Sequence, residues 1–124
     1  MLNSCQNSKA ISDEEVMTAF NNFFKILDRD LDDFNNLITD DFFIFENSRR
    51  YSAKEFVEFI KTFNIVSSQR RFEDITIDTD YNSAHLSLKH FGEFVVNKPE
   101  GKVKLEFEWL ESCYLIKKAG KLKF

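Results

Sequence analysis

Apolar and polar residues alternate over a long stretch near the C-terminus of the chain. One set of alternate positions is mostly apolar: Val103, Leu105, Phe107, Trp109, Glu111, Cys113 and Leu115. The positions between them include the charged residues Lys104, Glu106 and Glu108. Such period-two alternation predicts a strand with one buried face. Because a buried charge is costly unless it is paired or hydrogen-bonded, we expect Glu111 to line a cavity or to lie where the core reaches water.

Helical spacing and capping boxes predict three helices in the N-terminal half. Ser12 and Glu15 form a capping box, and apolar residues follow at helical spacing: Val16, Phe20, Phe23, Phe24 and Leu27. This pattern predicts a helix over 13–27 and a shorter one over 31–38. A second capping box, Ser52 and Glu55, predicts the start of the third helix.

Runs of β-branched and aromatic residues predict the strands. The first two strands cover 41–46 and 72–79, and the second has Ile75 and Ile77 on one face. A turn at Tyr81-Asn82 leads into a long strand, and a loop at 97–101 leads into the alternating strand. A short last strand follows Ala119-Gly120. Helices early and strands late indicate an α+β fold, with helices on one face of a mostly antiparallel sheet. We expect residues 1–11 to be a flexible polar tail and residues 12–124 to be a single domain. A curved sheet under helices leaves a concave space, where small ligands bind.

Composition and charge limit the partners that we expect. The chain has 124 residues, 15 of them phenylalanine, which is enough for one domain with a sizeable core. Its net charge of −4 disfavours nucleic acid, and no apolar stretch is long enough to cross a bilayer. Neither cysteine has a Cys or His at ligand spacing, and no phosphate-binding loop is found, so we expect no metal and no cofactor. The basic pairs Arg49-Arg50 and Arg70-Arg71 are expected to be solvated loop charges.

The first residues bear on localisation. Leu2-Asn3-Ser4-Cys5 is similar to the end of a bacterial lipoprotein signal, in which the cysteine becomes lipidated. The hydrophobic region of such a signal is absent from the sequence as written. We therefore expect a soluble cytoplasmic protein. The alternative is a lipoprotein anchored at Cys5, if a signal segment precedes Met1.

Three short motifs resemble those of the nuclear transport factor 2-like superfamily. They are Asp30-Leu31-Asp32, the run Ile38-Thr39-Asp40-Asp41-Phe42, and Lys117-Lys118-Ala119-Gly120-Lys121-Leu122. The SnoaL-like and ketosteroid-isomerase-like members are the most similar, over about residues 12–124. The resemblance implies a cone-shaped, cystatin-like α+β fold in which three N-terminal helices pack on a curved, mostly antiparallel sheet. It also implies frequent dimerisation through the sheet, and functions that range from isomerases and dehydratases to non-catalytic binding modules.

The catalytic residues of ketosteroid isomerase carry over only in part. Counted from the Asp-Asp pair, its general-base carboxylate falls near Glu46, which is compatible with proton abstraction next to a carbonyl. Its oxyanion donors fall near Asn22 and Ser112, and neither residue matches. The resemblance therefore specifies a fold better than an activity.

His90 and Glu111 form the sharpest candidate pair for chemistry. If Val96 faces Val103 in the hairpin, His90 lies opposite Trp109, and Glu111 is its diagonal neighbour at about 7–8 Å. A carboxylate beside an imidazole orients the ring, as a general base requires. The other interpretation is a satisfied polar pair at the wet end of the sheet.

Three functions remain open at this stage. The first is a SnoaL-like domain that binds a small apolar molecule without established catalysis, with Trp109, Tyr51, Phe107 and Phe20 as ligand-binding residues. The second is a cofactor-independent isomerase, dehydratase or cyclase, with His90, Glu46 and Glu111 as catalytic residues. The third is a dimerising structural module. Apolar residues on the opposite sheet face predict a homodimer through the sheet: Phe91, Val95, Leu110, Tyr114 and Ile116.

Overall fold

A computed structural model describes residues 9–124 of the chain. The elements, in chain order, are α1 (Asp13–Arg29), the 3-10 helix η1 (Leu31–Leu37), β1 (Phe43–Glu46), β2 (Arg49–Ser52), α2 (Ala53–Lys61), β3 (Ile65–Thr79), β4 (Ser83–Lys98), β5 (Gly101–Lys118) and β6 (Lys121–Lys123). Three helices pack on a curved antiparallel sheet, which confirms the predicted α+β class. Cys5, on which the predicted lipoprotein anchor depends, lies outside the described residues.

Both predicted capping boxes are present at the starts of the α-helices. The Ser12 hydroxyl accepts from the backbone N–H of Glu15 at 3.1 Å, and the Ser52 hydroxyl accepts from that of Glu55 at 3.3 Å. In return, the Glu55 carboxylate accepts from the backbone N–H of Ser52 at 3.0 Å. These hydrogen bonds satisfy N–H groups that the first helical turn leaves without partners.

The main sheet has the strand order β3-β4-β5-β6, and β1 pairs with β2 in a separate hairpin. In the β4–β5 hairpin Val96 pairs with Val103 and His90 pairs with Trp109, which confirms the predicted register. The loop is shorter than predicted because pairing continues to Lys98 and Gly101. This long hairpin carries most of the residues of the candidate site.

Strand β3 differs from the prediction in two ways. It begins at Ile65 rather than near residue 72, and a bulge interrupts its pairing with β4. Glu73 pairs with Lys89 and Thr76 with Ser87, so two residues of β3 face one residue of β4. Ile75, beside the bulge, is exposed, whereas Ile77 packs against the core.

Strand β2 was not predicted from the sequence. It follows a tight turn in which Asn47 and Ser48 both adopt positive φ, at 52° and 61°, as a two-residue hairpin turn requires. Tyr51, predicted as a ligand-binding residue, lies in β2 opposite Ile44 and is buried.

The core consists of two clusters on the concave side of the sheet. One joins α1 to β4 and β5 and includes Phe20, Leu86 and Leu115. The other joins the end of α1 to η1, α2 and the small hairpin, and it includes Phe34 and Tyr51. Packing extends to Ile11, which is buried and whose N–H donates to the carbonyl of Asp80 at 2.8 Å. The convex face of the sheet carries exposed apolar residues, with Leu110 83% exposed.

Candidate functional site

Four side chains from four elements form a continuous chain of polar contacts across the concave face. Asp28 binds Arg70 through two bonds of 2.6 and 2.8 Å, Arg70 contacts His90 at 3.2 Å, and His90 contacts Glu111 at 2.5 Å. We call Asp28, Arg70, His90 and Glu111 the polar chain. It joins the last turns of α1 to the far side of the β4–β5 hairpin.

Strand register explains why these side chains meet. His90 pairs with Trp109 on one side and with Phe72 on the other, while Arg70 pairs with Gly92. Residues two apart in a strand share a face, so Arg70 flanks Phe72, and Glu111 flanks Trp109. Helix α1 supplies Asp28, which lies on the same side of the helix as the buried Phe20 and the half-buried Phe24, at positions four residues apart.

His90 is the centre of the polar chain and lies in an aromatic environment. Its side chain is 1% exposed, and its ring centroid lies 4.6–4.8 Å from the ring centroids of Phe24, Phe72 and Trp109. None of these rings offers the imidazole nitrogens a strong hydrogen-bond partner. A buried polar ring in such surroundings needs partners for both nitrogens, and Arg70 and Glu111 supply them.

The partners of His90 assign its tautomer. An arginine guanidinium carries only donors, so Nη1 of Arg70 donates to Nε2 of His90, which must hold a lone pair. The ring proton is then on Nδ1 and is donated to Oε1 of Glu111. As arranged, His90 has no free lone pair with which to act as a base. The Glu111 side chain is 22% exposed and brings the polar chain to solvent.

Each nitrogen of the Arg70 guanidinium donates a hydrogen bond to a neighbouring side chain. Its Nε and Nη2 donate to the two carboxylate oxygens of Asp28, and its guanidinium lies 4.4 Å from the centroid of Phe24 and 4.9 Å from that of Phe94. Bidentate pairing and stacking of this kind suit arginine in particular. The expectation that Arg70 is a solvated loop charge is therefore wrong, whereas the side chain of its neighbour Arg71 is exposed.

Trp109 forms an aromatic wall beside the polar chain. A Cβ on Gly92 would lie 2.9 Å from Cζ3 of Trp109 and 2.8 Å from Cε2 of Phe94, so only glycine leaves room for these rings. The indole N–H of Trp109 donates to Oε1 of Glu46 at 3.3 Å. Phe107 stacks on the indole with centroids 5.3 Å apart and is itself 42% exposed. We call Trp109 and Phe107 the aromatic wall.

The structure brings five of the seven sequence-predicted site residues together. Glu46 contacts Trp109, and Phe107, His90 and Glu111 adjoin it as described above. The other two are core residues: Phe20 packs against Phe24 and Phe72, and Tyr51 stacks on Phe59 at 5.0 Å. Sequence reasoning missed Asp28 and Arg70. The helical spacing from Phe24 to Asp28 was a usable signal, but β3 carries too few apolar residues around Arg70 to mark its face.

The space beneath the helices is filled largely by phenylalanine rings in edge-to-face contact, such as Phe23 against Phe34 at 5.4 Å. A surface cleft of about 160 Å³ lies where the ends of α1 and α2 meet the start of β3. Asp28 lines this cleft, which is therefore at the opposite end of the polar chain from Glu111.

Cys113 lies two residues beyond Glu111 on the same strand face. Burial, together with the nearby Glu111 carboxylate, raises the pKa of the Cys113 thiol to about 12. Both effects disfavour the thiolate, because burial removes water from the anion and the carboxylate repels it. The thiol is therefore held in its neutral form.

Comparison with known proteins identifies the fold. No protein-family model and no curated protein sequence matches the chain. Among solved structures, the Kfla4162 protein from Kribbella flavida matches with a TM-score of 0.73 at 11% identity, over 89% of this chain and 83% of that one. A proposed scytalone dehydratase from Novosphingobium aromaticivorans matches with a TM-score of 0.69 at 14% identity, over 90% of this chain and 77% of that one.

The chain has the nuclear transport factor 2-like fold. A proposed polyketide cyclase from Xanthomonas campestris has the same fold, with a TM-score of 0.53 at 11% identity over 89% of this chain and 86% of that one. These matches confirm the predicted resemblance to nuclear transport factor 2-like proteins at the level of the fold. Among the described residues, no helix combines the length and the apolar content that crossing a bilayer requires.

Proposed function

We propose that this nuclear transport factor 2-like domain binds a small, planar, largely apolar molecule against the aromatic wall. The observation that carries the proposal is the stacked pair of Trp109 and Phe107, in which Phe107 is 42% exposed, beside the Glu111 carboxylate. Aromatic pairs that stack contribute about 0.5–1.5 kcal/mol beyond the burial of their area. A planar ligand on Phe107 would extend the existing stack.

The wall is held in place before any ligand arrives. Gly92 leaves the space that the indole occupies, and Glu46 accepts the indole N–H. A wall that does not rearrange loses little conformational entropy when it binds, which favours affinity. Glu111 and Glu46 then serve as the polar contacts that orient the ligand.

The experiment that tests binding combines native mass spectrometry with tryptophan fluorescence. Protein purified from its own host is analysed for a bound small molecule, which is then released and identified. Because Trp109 is the only tryptophan, its fluorescence reports on the wall when the released molecule is titrated back. Phe107→Ala should weaken binding about 2- to 10-fold, the effect of losing one aromatic contact of about 0.5–1.5 kcal/mol.

Leu110→Ala is the matched control for Phe107→Ala. Leu110 lies three residues further along β5, on the convex face, and is also exposed, so its loss should leave binding unchanged. Equal losses of affinity in the two variants would argue against the wall as the binding surface. The absence of any bound molecule, and of any fluorescence response to small aromatic compounds, would reject the proposal.

Catalysis of proton transfer is the second candidate, and the His90–Glu111 hydrogen bond favours it. Glu111 would be the base. Its Oε1 accepts a hydrogen bond from His90, whereas its Oε2 makes no hydrogen bond with any described residue. Structural neighbours described as a proposed dehydratase and a proposed cyclase support proton-transfer chemistry at the level of analogy only. The step would be abstraction of a proton next to a carbonyl, as in isomerases, dehydratases and cyclases.

A turnover assay separates binding from catalysis. With the released ligand or a related carbonyl compound, Glu111→Gln should lower kcat at least about 100-fold, the usual contribution of a general base, while affinity changes little. His90→Gln should also lower kcat, and His85→Gln is its control because His85 is the other histidine and is exposed. Turnover that survives Glu111→Gln would exclude Glu111 as the base.

The convex face of the sheet supports a homodimer. Leu110 and Tyr114 are exposed there, on a face that no helix of the described chain covers. Leu110→Glu would place a charge at the centre of such an interface. Light scattering after gel filtration should then show a dimer for the original chain and a monomer for the variant, and a monomer in both cases would reject dimerisation through this face.

A further inference from the structure

We propose that Asp28 and Arg70 are positioning residues that fix His90 as a donor to Glu111. Among the described residues, the site then offers a ligand carboxylate oxygens, while the Arg70 guanidinium is held by Asp28 and His90. It follows that the site takes neutral molecules bearing an O–H or N–H group in preference to anions. The positioning of His90 concerns the free protein, whereas the choice of ligand rests on the proposed binding function.

Asp28 fixes the geometry of Arg70. Its Nε and Nη2 bind both oxygens of Asp28, at 2.8 and 2.6 Å, which fixes the plane of the guanidinium. The remaining nitrogen, Nη1, then points at Nε2 of His90 at 3.2 Å. Since the Arg70 and Asp28 side chains are only 11% and 16% exposed, water competes poorly for these contacts.

Arg70 restricts where His90 can carry a proton. A proton on Nε2, whether in the other neutral tautomer or in the imidazolium, would face an N–H of the guanidinium, so that two donors would meet. Both alternatives to the Nδ1–H tautomer are therefore unfavourable while Arg70 is in place. With Arg70 removed, Nε2 has no donor in front of it and is free to take up a proton.

The state of Arg70 bears on which ligands the site can bind. Each guanidinium nitrogen already donates to Asp28 or His90, and because the side chain is only 11% exposed, its two remaining N–H groups have little access to an anion. Glu46 and Glu111 bring carboxylate oxygens to the aromatic wall. Carboxylates accept hydrogen bonds and repel anions, so they select a donor group on the ligand.

Nitrogen NMR of the histidine rings tests the positioning directly. In ¹⁵N-histidine-labelled protein at pH 7.5, the ring of His90 should show a protonated Nδ1 and a bare Nε2, and a His85→Gln sample assigns the signals because the chain has two histidines. Arg70→Met should shift the Nε2 signal towards the protonated value. Arg71→Met, which removes the exposed neighbouring arginine, should leave it unchanged.

Two further variants keep the test decisive if Arg70→Met fails to fold. Asp28→Asn removes the anchoring charge with little change in shape and should shift the Nε2 signal in the same direction. Arg70→Lys keeps a cationic donor and should retain more of the bare Nε2 than Asp28→Asn does. A protonated Nε2 in the original chain, or no change in any of these variants, would overturn the positioning role.

Ligand selection is tested with 2-naphthol and 2-naphthoate, which have the same ring system and differ in charge and donor capacity. Their titration is followed through the single indole N–H signal of Trp109. We expect 2-naphthol to bind at least about tenfold more tightly than 2-naphthoate, a difference of about 1.4 kcal/mol in binding free energy. Glu111→Gln should reduce this difference in affinity. Equal or tighter binding of 2-naphthoate would overturn the ligand preference. If neither compound binds, the ligand preference fails with the proposed binding function, and the NMR result still decides the positioning of His90.

Discussion

The buried pair of Asp28 and Arg70 offers a quantitative test of the site's energetics. Replacing Arg70 by Met leaves the Asp28 carboxylate without its partner, and replacing Asp28 by Leu does the same to the guanidinium. Removing one member of a buried ion pair costs about 3–5 kcal/mol, because the other charge stays buried and unpaired. The two charge-assisted bonds, at about 1.5–3 kcal/mol each, give a similar gross value.

The residual exposure of the two side chains, 11% and 16%, places the expected cost near the lower end of that range. We therefore expect each single variant to lose about 3 kcal/mol of the free energy of unfolding. The double variant should lose much less than the sum, because no unpaired charge remains. A coupling energy of about 2–3 kcal/mol follows, a large share of the 5–15 kcal/mol by which a domain is stable.

Urea unfolding followed by the fluorescence of Trp109 measures all four proteins of this cycle. The pair Arg71 and Glu73 is the matched control, since it lies on the same strand with side chains 61% and 49% exposed. Its coupling energy should not exceed about 1 kcal/mol. Additive losses in the Asp28–Arg70 cycle, or equal coupling in the two pairs, would refute the inference that burial makes the first pair strong.

Three further predictions concern the wall, a thiol and a helix cap. Gly92→Ala should destabilise the protein by about 1–3 kcal/mol and shift the emission of Trp109, because the new methyl group overlaps the indole; unchanged emission and unfolding midpoint would contradict this. With the other cysteine replaced by serine, Cys113 should react with a thiol reagent at pH 8 about a thousandfold more slowly in the folded protein than in urea, since its pKa is raised to about 12, and comparable rates would contradict the buried position. Hydrogen bonding with Ser52 lowers the pKa of Glu55, and the backbone N–H of Ser52 makes the largest contribution. The stability that this carboxylate adds should therefore be present above its ordinary pKa and be lost as the pH falls through the lowered pKa. The difference in urea midpoint between the original chain and Glu55→Gln should therefore disappear under acid conditions, and a difference that does not depend on pH would contradict this.

Local patterns predicted the half of the site that one hairpin builds. The register that pairs His90 with Trp109 follows from period-two alternation in two consecutive strands, and it was correct. Arg70 was missed because β3 reads Ser67-Ser68-Gln69 before it, with no apolar alternation to reveal a buried face. Its partner lies 42 residues away in the sequence, and no local pattern could have joined the two.

Irregular backbone explains the other differences. A bulge interrupts β3 next to the exposed Ile75, and the positive φ of Asn47 and Ser48 allows a hairpin where a loop was expected. Neither feature carries glycine, the residue that usually marks such positions. Glu46 was located through a resemblance rather than a pattern, and its contact with Trp109 depends on packing between the two sheets.

The sequence separations within the site have a consequence for the order in which it assembles. His90 and Glu111 are 21 residues apart on one hairpin, whereas Asp28 and Arg70 are 42 apart and Glu46 and Trp109 are 63 apart. Closing a longer loop costs more entropy, and non-local contacts slow folding. The imidazole and its carboxylate should therefore come together as soon as the β4–β5 hairpin closes, before the first helix docks. Until then the ring is free to exchange its proton between nitrogens, so docking of the helix is the event that gives this centre its final chemical state.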